Sequence, residues 1–326
     1  FGEALRHAEG LVWADKEVVL AAVNQNSLAW MHAPSVLRQD KDVVLAAVKR
    51  NGQLLERWLN SAESFKGDKD VVLAAVQQKG TVLKHASKEL RTNKEVVLAA
   101  VKNDGKALEY ASKELQADEE VVLAAVKNKG EALEHASKEF CTNKEVVLAA
   151  VEKAGMALNW ACSELQNDRK VVLTAVNNDG RALKHVSKEL QADEEVVHVA
   201  VKQYGMALQY VPTNLQNYSD VALTAVKQDG MALQYAPTNL QNRDIVLAAV
   251  KESGGALQYA YEFRNDKEVV LAAVQKYEIA IKFASTELQY DKDLVLAIVK
   301  QNGDYMPQKF WNDKEGVLAA VKQNGR

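Results

Sequence analysis

A nine-residue pattern, Asp-Lys-Glu-Val-Val-Leu-Ala-Ala-Val, recurs with small changes along almost all of this 326-residue chain. Thirteen copies can be aligned from the residue that opens each one, and most successive openers are 25 residues apart. Self-similarity at a fixed spacing of this size is the signature of a repeat protein, so it overrides the two domains that length alone suggests. The openers are Asp15, Asp40, Asp68, Asn93, Asp118, Asn143, Asp168, Asp193, Tyr218, Asn242, Asp266, Asp291 and Asp313. The sequence therefore predicts a single repeat array over residues 1–326.

The segment that follows each opener has the features of an α-helix. Twelve of the thirteen openers are Asp or Asn, whose short side chains accept hydrogen bonds from the unpaired N–H groups of a first helical turn. Two residues later comes an acidic side chain in twelve copies, which suits the positive end of the helix dipole. Six consecutive apolar residues follow, as at 96–101, and they predict a helix that is buried on every side.

A glycine usually lies twelve residues after the opener, and we call this the glycine position. Gly105 and Gly130 are examples, and glycine just past a helix end is expected to adopt the left-handed conformation. Ser27 and Glu278 replace it in two copies, which predicts altered turns there. An Ala-Leu-x-x-Ala segment then predicts a short second helix that ends before a Ser or Pro, and Ser-x-Glu-Leu predicts a 3₁₀-like turn.

Each copy is thus predicted to contain one longer helix, one short helix and one 3₁₀-like turn. A unit of about 25 residues cannot bury its own apolar face, so copies must stack on their neighbours. The predicted fold class is all-α, an α-solenoid or superhelix of tandem repeats. The chain opens within the second half of a repeat and closes just after a first helix, so we expect a fragment or the ordered part of a longer chain. Open apolar ends would allow copies to stack end to end.

The consensus D-K-E-V-V-L-A-A-V-K-x-N-G-x-A-L-x-x-A-S-x-E-L resembles the helical repeat family known as domain of unknown function 4116. Residues 93–115 and 118–140 are close to it, and the resemblance covers nearly the entire chain. The resemblance implies tandem helical repeats, and the family includes secreted effectors. The family has no agreed activity and no assigned catalytic residues, so the resemblance implies no catalytic residue in this chain. The departures are an insertion near Trp58, Tyr218 as an opener, Glu278 at the glycine position and a shortened copy that opens at Asp291.

Composition excludes several classes of protein. The net charge of −3 gives no long-range attraction for phosphate, and no apolar stretch approaches the length of a membrane span. The two cysteines cannot form a disulfide framework, which favours a reducing compartment, either the cytoplasm or a host cytosol. Cys141 and Cys162 occur in adjacent copies and could approach each other, but we interpret them as replacements of small residues.

A His or an aromatic residue lies five residues after the glycine position in most copies, and we call this the ring position. One interpretation is a packing ladder between repeats; the other is an aromatic stripe that binds a partner protein. On the second interpretation the candidate partner-binding residues are Tyr110, Trp160, Tyr210, Tyr235 and Tyr259. Successive rings should lie about one helix row apart, too far for histidines to share a metal ion. The sequence therefore predicts neither a metal site nor a cofactor.

Two further features have alternative interpretations. Lys, Asn and Gln side chains recur at the end of the first helix, as in residues 102–104 and 127–129, and such an amide row could read single-stranded RNA. Acidic residues elsewhere in each repeat match these lysines, which argues against a nucleic acid partner. His198 replaces the usual Leu within the apolar run, and we expect a buried, hydrogen-bonded histidine there.

Motifs of catalysis are missing from the sequence. It has no phosphate-binding Gly-Lys-Ser/Thr loop, no nucleophile elbow and no pair of histidines on one helix face with an intervening Glu. We therefore predict no enzyme, but a repeat scaffold for protein–protein interaction or structural spacing, in a secreted effector or a large assembly. Single-stranded RNA binding along the Asn/Gln/Lys row is the alternative.

Overall fold

The computed structural model describes residues 15–50, 65–301 and 308–324, and within these ranges every regular element is a helix. The chain divides into two units, Phe1–Leu165 and Gln166–Arg326, and each is a run of stacked helical repeats. This confirms the predicted all-α repeat solenoid. The opening half-repeat and the insertion near Trp58 lie outside the described residues.

Each described repeat begins with an α-helix of 10 or 11 residues, here called the first helix. In the first unit these helices are Lys16–Gln25, Lys41–Arg50, Lys69–Gln78, Lys94–Asn103, Glu119–Asn128 and Lys144–Lys153. In the second unit they are Arg169–Asn178, Glu194–Gln203, Tyr218–Gln228, Arg243–Glu252, Lys267–Lys276, Lys292–Gln301 and Lys314–Asn324. The Asp and Asn openers cap them as predicted: the Asp68 carboxylate accepts hydrogen bonds from the N–H groups of Asp70 (3.0 Å) and Val71 (3.2 Å). The opener Tyr218 is instead the first residue of its helix, which has no side-chain cap.

In ten of the described repeats, a six-residue 3₁₀ helix follows the first helix after one extended residue. These helices are Ser27–His32, Gly80–His85, Gly105–Tyr110, Gly130–His135, Gly155–Trp160, Gly180–His185, Gly205–Tyr210, Gly230–Tyr235, Gly254–Tyr259 and Glu278–Phe283. The short second helix of the repeat is therefore present, with 3₁₀ geometry. Ser27 and Glu278 begin 3₁₀ helices of the usual length, so the altered turns expected at these residues do not occur.

A short closing turn completes the repeat and leads to the next opener. It is a single α-helical turn at Ser35–Arg38, Lys88–Arg91, Lys113–Gln116, Ser163–Gln166 and Thr286–Gln289. It is a 3₁₀ turn at Lys138–Cys141, Leu190–Ala192, Thr238–Leu240, Tyr261–Phe263 and Gln308–Phe310. The predicted 3₁₀ geometry is thus found in some closing turns, and the others are α-helical.

The core lies between the first helices and the 3₁₀ helices. In the first helix Lys94–Asn103, Val96, Val97, Ala100 and Val101 are 0% exposed, whereas the intervening residues 98 and 99 are half-buried. This helix contacts the first helices on either side and the 3₁₀ helices Gly80–His85 and Gly105–Tyr110. It also contacts the closing turn Lys88–Arg91, but the side that carries residues 98 and 99 is only partly covered, so the expectation of burial on every side is wrong.

His198 lies on this uncovered side of the first helix Glu194–Gln203. It occupies the position of Leu98 in its repeat, five residues after the opener, and its side chain is exposed. The expected buried histidine is therefore also wrong. The reason is geometric, because the fifth residue after the opener points away from both layers of helices.

The glycine position has a different role from the one predicted. Among the described residues, the glycines at this position do not have a positive φ in the left-handed range; instead each begins a 3₁₀ helix close to the next repeat. A Cβ on Gly105 would lie 2.4 Å from the carbonyl oxygen of Ala125, and one on Gly130 would lie 2.2 Å from that of Ala150. These are backbone atoms that cannot move aside, so glycine is required by the close approach of adjacent repeats.

Candidate interaction surfaces

A side-chain amide at the end of the first helix joins each of several repeats to the preceding one. Asn128 Oδ1 accepts a hydrogen bond of 2.8 Å from the backbone N–H of Gly105. Asn128 Nδ2 donates one of 2.9 Å to the carbonyl oxygen of Lys102. The same amide therefore satisfies the first N–H of one 3₁₀ helix and a terminal carbonyl of the first helix before it. We call this arrangement the amide bridge.

The amide bridge recurs in both units. Asn103 accepts from Gly80 N–H at 2.7 Å and donates to Gln77 O at 2.8 Å. In the second unit Gln228 accepts from Gly205 N–H at 2.5 Å. These are the amides that the RNA interpretation of the Asn/Gln/Lys row would need, and they are hydrogen-bonded to the protein backbone. A base-reading role for them would require breaking contacts that hold the repeats together.

Ion pairs form a second link between repeats at the opposite end of the first helix. Lys94 Nζ lies 2.8 Å from Asp118 and 2.9 Å from Glu120, which are the opener and the first-turn acid of the next repeat. The same basic position pairs with the next repeat from Lys16, Lys41, Lys69, Arg169, Arg243, Lys267 and Lys292. These bridges neutralise most of the first-turn acids that the sequence shows.

The ionisation of the openers reflects this pairing. The hydrogen bond from Arg243, 2.9 Å from Asp266, lowers the pKa of that carboxyl and outweighs the opposing effect of partial burial. Arg243 also pairs with Glu268. The capping carboxylate is therefore held ionised by the preceding repeat, so the helix cap and the ion pair support each other.

The five candidate partner-binding residues occupy equivalent places, each as the last residue of its 3₁₀ helix and each half-buried. In the first unit Tyr110 and Trp160 are separated by the repeat that carries His135. In the second unit Tyr210, Tyr235 and Tyr259 end three successive 3₁₀ helices, and each of these helices packs on the next. Each ring is thus partly packed and partly available at the surface, so both interpretations of the ring position stay open.

The histidines of the ring position do not gather into a site. His85, His135 and His185 are half-buried in separate repeats, and burial lowers the pKa of His185, with a smaller effect from Lys184. Within the described ranges there is no group of three or more His, Cys, Asp or Glu side chains able to hold a metal ion.

One recurrent contact was missed by sequence reasoning. The buried side chain of Gln116, the last residue of its closing turn, donates from Nε2 to the carbonyl oxygens of Leu108 (3.0 Å) and Glu109 (3.1 Å). Gln191 makes the equivalent bond to Leu183 O, and Gln241 donates to Ala236 O, just past the end of the 3₁₀ helix Gly230–Tyr235. The glutamine thus caps the end of the 3₁₀ helix in its own repeat. The signal was the Leu-Gln pair that precedes six of the thirteen openers.

Cys141 occupies this capping position in its repeat, and Cys162 follows in the next. The backbone N–H of Cys162 donates to the carbonyl oxygen of Cys141 at 2.9 Å, as Ser137 does to Gln116 one repeat earlier. Both cysteines are free and half-buried. The structure therefore places the two cysteines beside each other through the backbone. Cys162 stands where other repeats have Ser112 and Ser137, as the interpretation of a replaced small residue expects, whereas Cys141 stands where the preceding repeat has the larger Gln116.

The uncovered side of the first helices forms a continuous surface within the first unit, which we call the leucine face. Its centre holds the half-buried side chains of Leu73, Leu98, Leu123 and Leu148, one from each of four successive first helices. A groove of about 540 Å³ lies between the first two of these helices and is lined by Leu73, Gln77, Leu98, Ala99 and Lys102, among others. The sequence did not predict this surface, because the apolar run was expected to be fully buried.

Comparison with known families gives one match. A family model described as a domain of unknown function, DUF4116, matches residues 15–58, 57–91, 93–141, 143–191, 193–241, 242–289 and 266–306. Most of these segments contain two openers, so the seven matches together include twelve of the thirteen copies, and the copy that opens at Asp313 lies beyond the last match. No curated protein matches the chain. Among the described residues, no helix combines the length and the hydropathy that a membrane crossing requires.

Proposed function

Since the chain belongs to the DUF4116 repeat family, we propose that it is a non-enzymatic repeat scaffold that binds another protein or spaces the parts of a larger assembly. The observation that supports this proposal best is the use of the recurrent polar side chains. The caps, the amide bridges and the ion pairs all serve to hold one repeat on the next. What each repeat then offers to a partner is a surface replicated at a regular spacing.

In this proposal the ring position supplies the contacts to the partner. Tyr210, Tyr235 and Tyr259 are half-buried on consecutive 3₁₀ helices, so each ring is oriented by packing and keeps part of its surface accessible. Tyrosine and tryptophan in such positions bring a large contact area at low cost in conformational entropy. Tyr110 and Trp160 provide the equivalent contacts in the first unit.

The working compartment in this proposal is a reducing one, the cytoplasm or the cytosol of a host cell. Both cysteines are free thiols, and burial raises the pKa of Cys162, which keeps it in the less reactive protonated form. A secreted effector or a component of a large intracellular assembly would meet such conditions.

Affinity capture from cell extract with the intact protein, followed by mass spectrometry, tests the scaffold proposal. The triple variant Tyr210→Ala, Tyr235→Ala, Tyr259→Ala is compared with the wild type, and circular dichroism verifies that both are folded. Tyr277→Ala is the control, because Tyr277 is 43% exposed and lies outside the ring position. We expect specific protein partners that the triple variant loses and the control keeps. If all three proteins capture the same partners, the ring position does not bind the partner. If RNA retained at low salt is the only captured species, the chain binds RNA and not protein.

A further inference from the structure

Three successive 3₁₀ helices of the second unit carry no charged side chain. They are Gly205–Tyr210, Gly230–Tyr235 and Gly254–Tyr259, and we call their exposed surface the uncharged patch. Charge is also missing from the residues that follow the first two helices, so that residues 205–217 and 230–242 contain none, in a chain of which 26% is charged. The cores of protein interfaces are depleted in charged residues and enriched in tyrosine and methionine, which is the composition found here.

The first unit shows that the repeat fold does not require this lack of charge. There the 3₁₀ helix Gly105–Tyr110 carries Lys106 and Glu109, and the next 3₁₀ helix carries Glu131 and Glu134. All four of these side chains are exposed, and the 3₁₀ helices of both units pack on their neighbours in the same way. A difference confined to exposed side chains points to a difference in what the surface binds.

The uncharged patch is continuous from one repeat to the next. Gln234 Nε2 lies 3.8 Å from Met206 Sδ in the preceding repeat, and a Cβ on Gly255 in the following repeat would lie 3.9 Å from Met231 Sδ. Gln209 and Gln234 each donate to the carbonyl oxygen three residues earlier, at 3.0 and 3.1 Å. Their side chains are therefore held on the surface before a partner arrives, which reduces the entropy lost on binding.

A row of tyrosines runs through the patch with one ring in each repeat. Tyr210, Tyr235 and Tyr259 are half-buried and end the three helices. The structure describes every residue from 65 to 301, and within that range the hydroxyl groups of these tyrosines form no hydrogen bond. A phenolic hydroxyl can donate a hydrogen bond to a carbonyl oxygen. The row therefore offers a partner three donors at the spacing of the repeats.

That spacing selects the backbone conformation of the partner. Packed helices are about 8–10 Å apart. A polyproline II helix has three residues per turn and rises about 3.1 Å per residue, so it presents the same side every 9.3 Å or about one repeat. In a β-strand, residues three apart point to opposite faces. A polyproline II helix also has no internal hydrogen bonds, so its carbonyl oxygens can accept from the tyrosines, whereas those of an α-helix are already bonded.

From these observations we infer that the uncharged patch binds a proline-rich segment of a partner protein in the polyproline II conformation, with an uncharged residue at every third position. The uncharged residues pack against the rings of Tyr210, Tyr235 and Tyr259, and the tyrosine hydroxyls donate to the carbonyl oxygens of the segment. A charged side chain placed against the patch would lose water and gain no counter-charge. The inference rests on the proposed scaffold function and names the chemistry of the partner.

Fluorescence polarisation with labelled peptides of about 12 residues, or about four polyproline II turns, tests the inference on the intact protein. One peptide repeats Pro-Pro-Glu, so its glutamates lie on one side of the helix and leave the other two sides uncharged. The second peptide has the same composition in a scrambled order that places glutamate on all three sides. We expect the first peptide to bind about fivefold more tightly or better. Equal binding of the two peptides, or no binding of the first up to about 1 mM, would overturn the inference.

The triple variant Tyr210→Phe, Tyr235→Phe, Tyr259→Phe keeps the rings and removes only the hydroxyl groups, and circular dichroism verifies that it is folded. Its binding of the Pro-Pro-Glu peptide should be weaker by about tenfold, because three hydrogen bonds are lost. Tyr277→Phe is the matched control, since Tyr277 is exposed and lies outside the patch, and it should bind as the wild type does. Unchanged binding in the triple variant would contradict the inference.

The same peptides separate this inference from the scaffold proposal. If captured protein partners depend on the three tyrosines while neither peptide binds, the scaffold proposal stands and the polyproline II partner is excluded. If the Pro-Pro-Glu peptide binds and its binding depends on the tyrosine hydroxyls, both are supported.

Discussion

Asn128 accepts a hydrogen bond from the backbone N–H of Gly105 at 2.8 Å, across a sequence separation of 23 residues. This contact explains two features of the repeat together. The glycine must lack a side chain because the next repeat lies against it, and the N–H that this approach would bury is satisfied by the amide of that same repeat. The interface between repeats, more than the repeat itself, is therefore what the recurrent residues encode.

Replacing the bridging amide should loosen one interface. In Asn128→Ala the N–H of Gly105 and the carbonyl of Lys102 lose their partner, which should cost about 1–3 kcal/mol at that interface. Hydrogen exchange of the Gly105 amide should accelerate correspondingly. Lys127→Ala changes the adjacent exposed residue and should stay within about 0.5 kcal/mol of the wild type. Unchanged exchange at Gly105 in Asn128→Ala would show that the bridge does not stabilise the interface.

Two adjacent glycines provide a direct test of close approach. A Cβ on Gly254 would lie 2.3 Å from the carbonyl oxygen of Ala273, whereas one on Gly255 would meet nothing closer than 3.9 Å. Gly254→Ala should therefore destabilise the second unit by about 1–3 kcal/mol, through forced movement of backbone. Gly255→Ala should be neutral or stabilising by up to about 1 kcal/mol, because it lowers the entropy of the unfolded chain. Urea denaturation followed by circular dichroism measures both, and similar midpoints for the two variants would contradict the argument.

The missing glutamine cap at Cys141 should be restorable. In Cys141→Gln the new amide can reach the carbonyls at the end of the 3₁₀ helix Gly130–His135, as Gln116 does in the preceding repeat. We expect a gain of about 0.5–1.5 kcal/mol in the stability of the first unit. Cys141→Ser is the control, since its side chain is too short to make the bond and should bring no gain. A thermal scan of the two variants and the wild type gives the answer, and a Gln variant no more stable than the Ser variant would refute it.

The ion pairs between repeats should make stability fall in acid. The pKa of Asp266 is lowered by the hydrogen bond from Arg243, so the folded state binds a proton less readily than the unfolded state. The resulting stabilisation is present above the ordinary carboxyl pKa of 3.8 and is lost as the pH falls from there through the lowered value. Arg243→Gln should therefore be less stable than the wild type at pH 6, and the difference should shrink as the pH falls through the lowered pKa of Asp266. A difference that persists unchanged at low pH would assign the effect of Arg243 to packing.

The opener Tyr218 should titrate well above the ordinary pKa of a tyrosine. Its side chain is only 3% exposed, its hydroxyl donates to Tyr235 O at 3.2 Å, and burial raises its pKa to about 12. A raised pKa means that the folded state keeps the proton, so this contribution to stability is complete below pH 10 and is lost as the pH rises towards 12. Ultraviolet absorbance of tyrosinate should show one late step that Tyr218→Phe removes. Loss of the step in Tyr235→Phe instead would contradict the assignment.

Features that depend only on residues close along the chain were predicted correctly from the sequence. The cap at Asp68 needs only the next three residues, so its chemistry is visible in the pattern itself. The end of the 3₁₀ helix before Ser112 likewise follows from local preferences. Features that depend on the next repeat were not predicted correctly. The sequence shows a glycine at 105 but not the carbonyl of Ala125 beside it, and local reasoning therefore assigned a conformation that the chain does not adopt.

The sequence by itself determined that the chain is an all-helical array of one small unit, where each first helix begins, and that neighbours must share a core. Only the tertiary structure decided which side of those helices remains uncovered, and hence that Leu98 and His198 lie on a surface. The reason is that a run of six apolar residues indicates a helix that is largely buried. Which of its sides is exposed depends on how many neighbours pack around the helix. The number of neighbouring helices is set by the stacking of repeats and cannot be read from the sequence of one repeat.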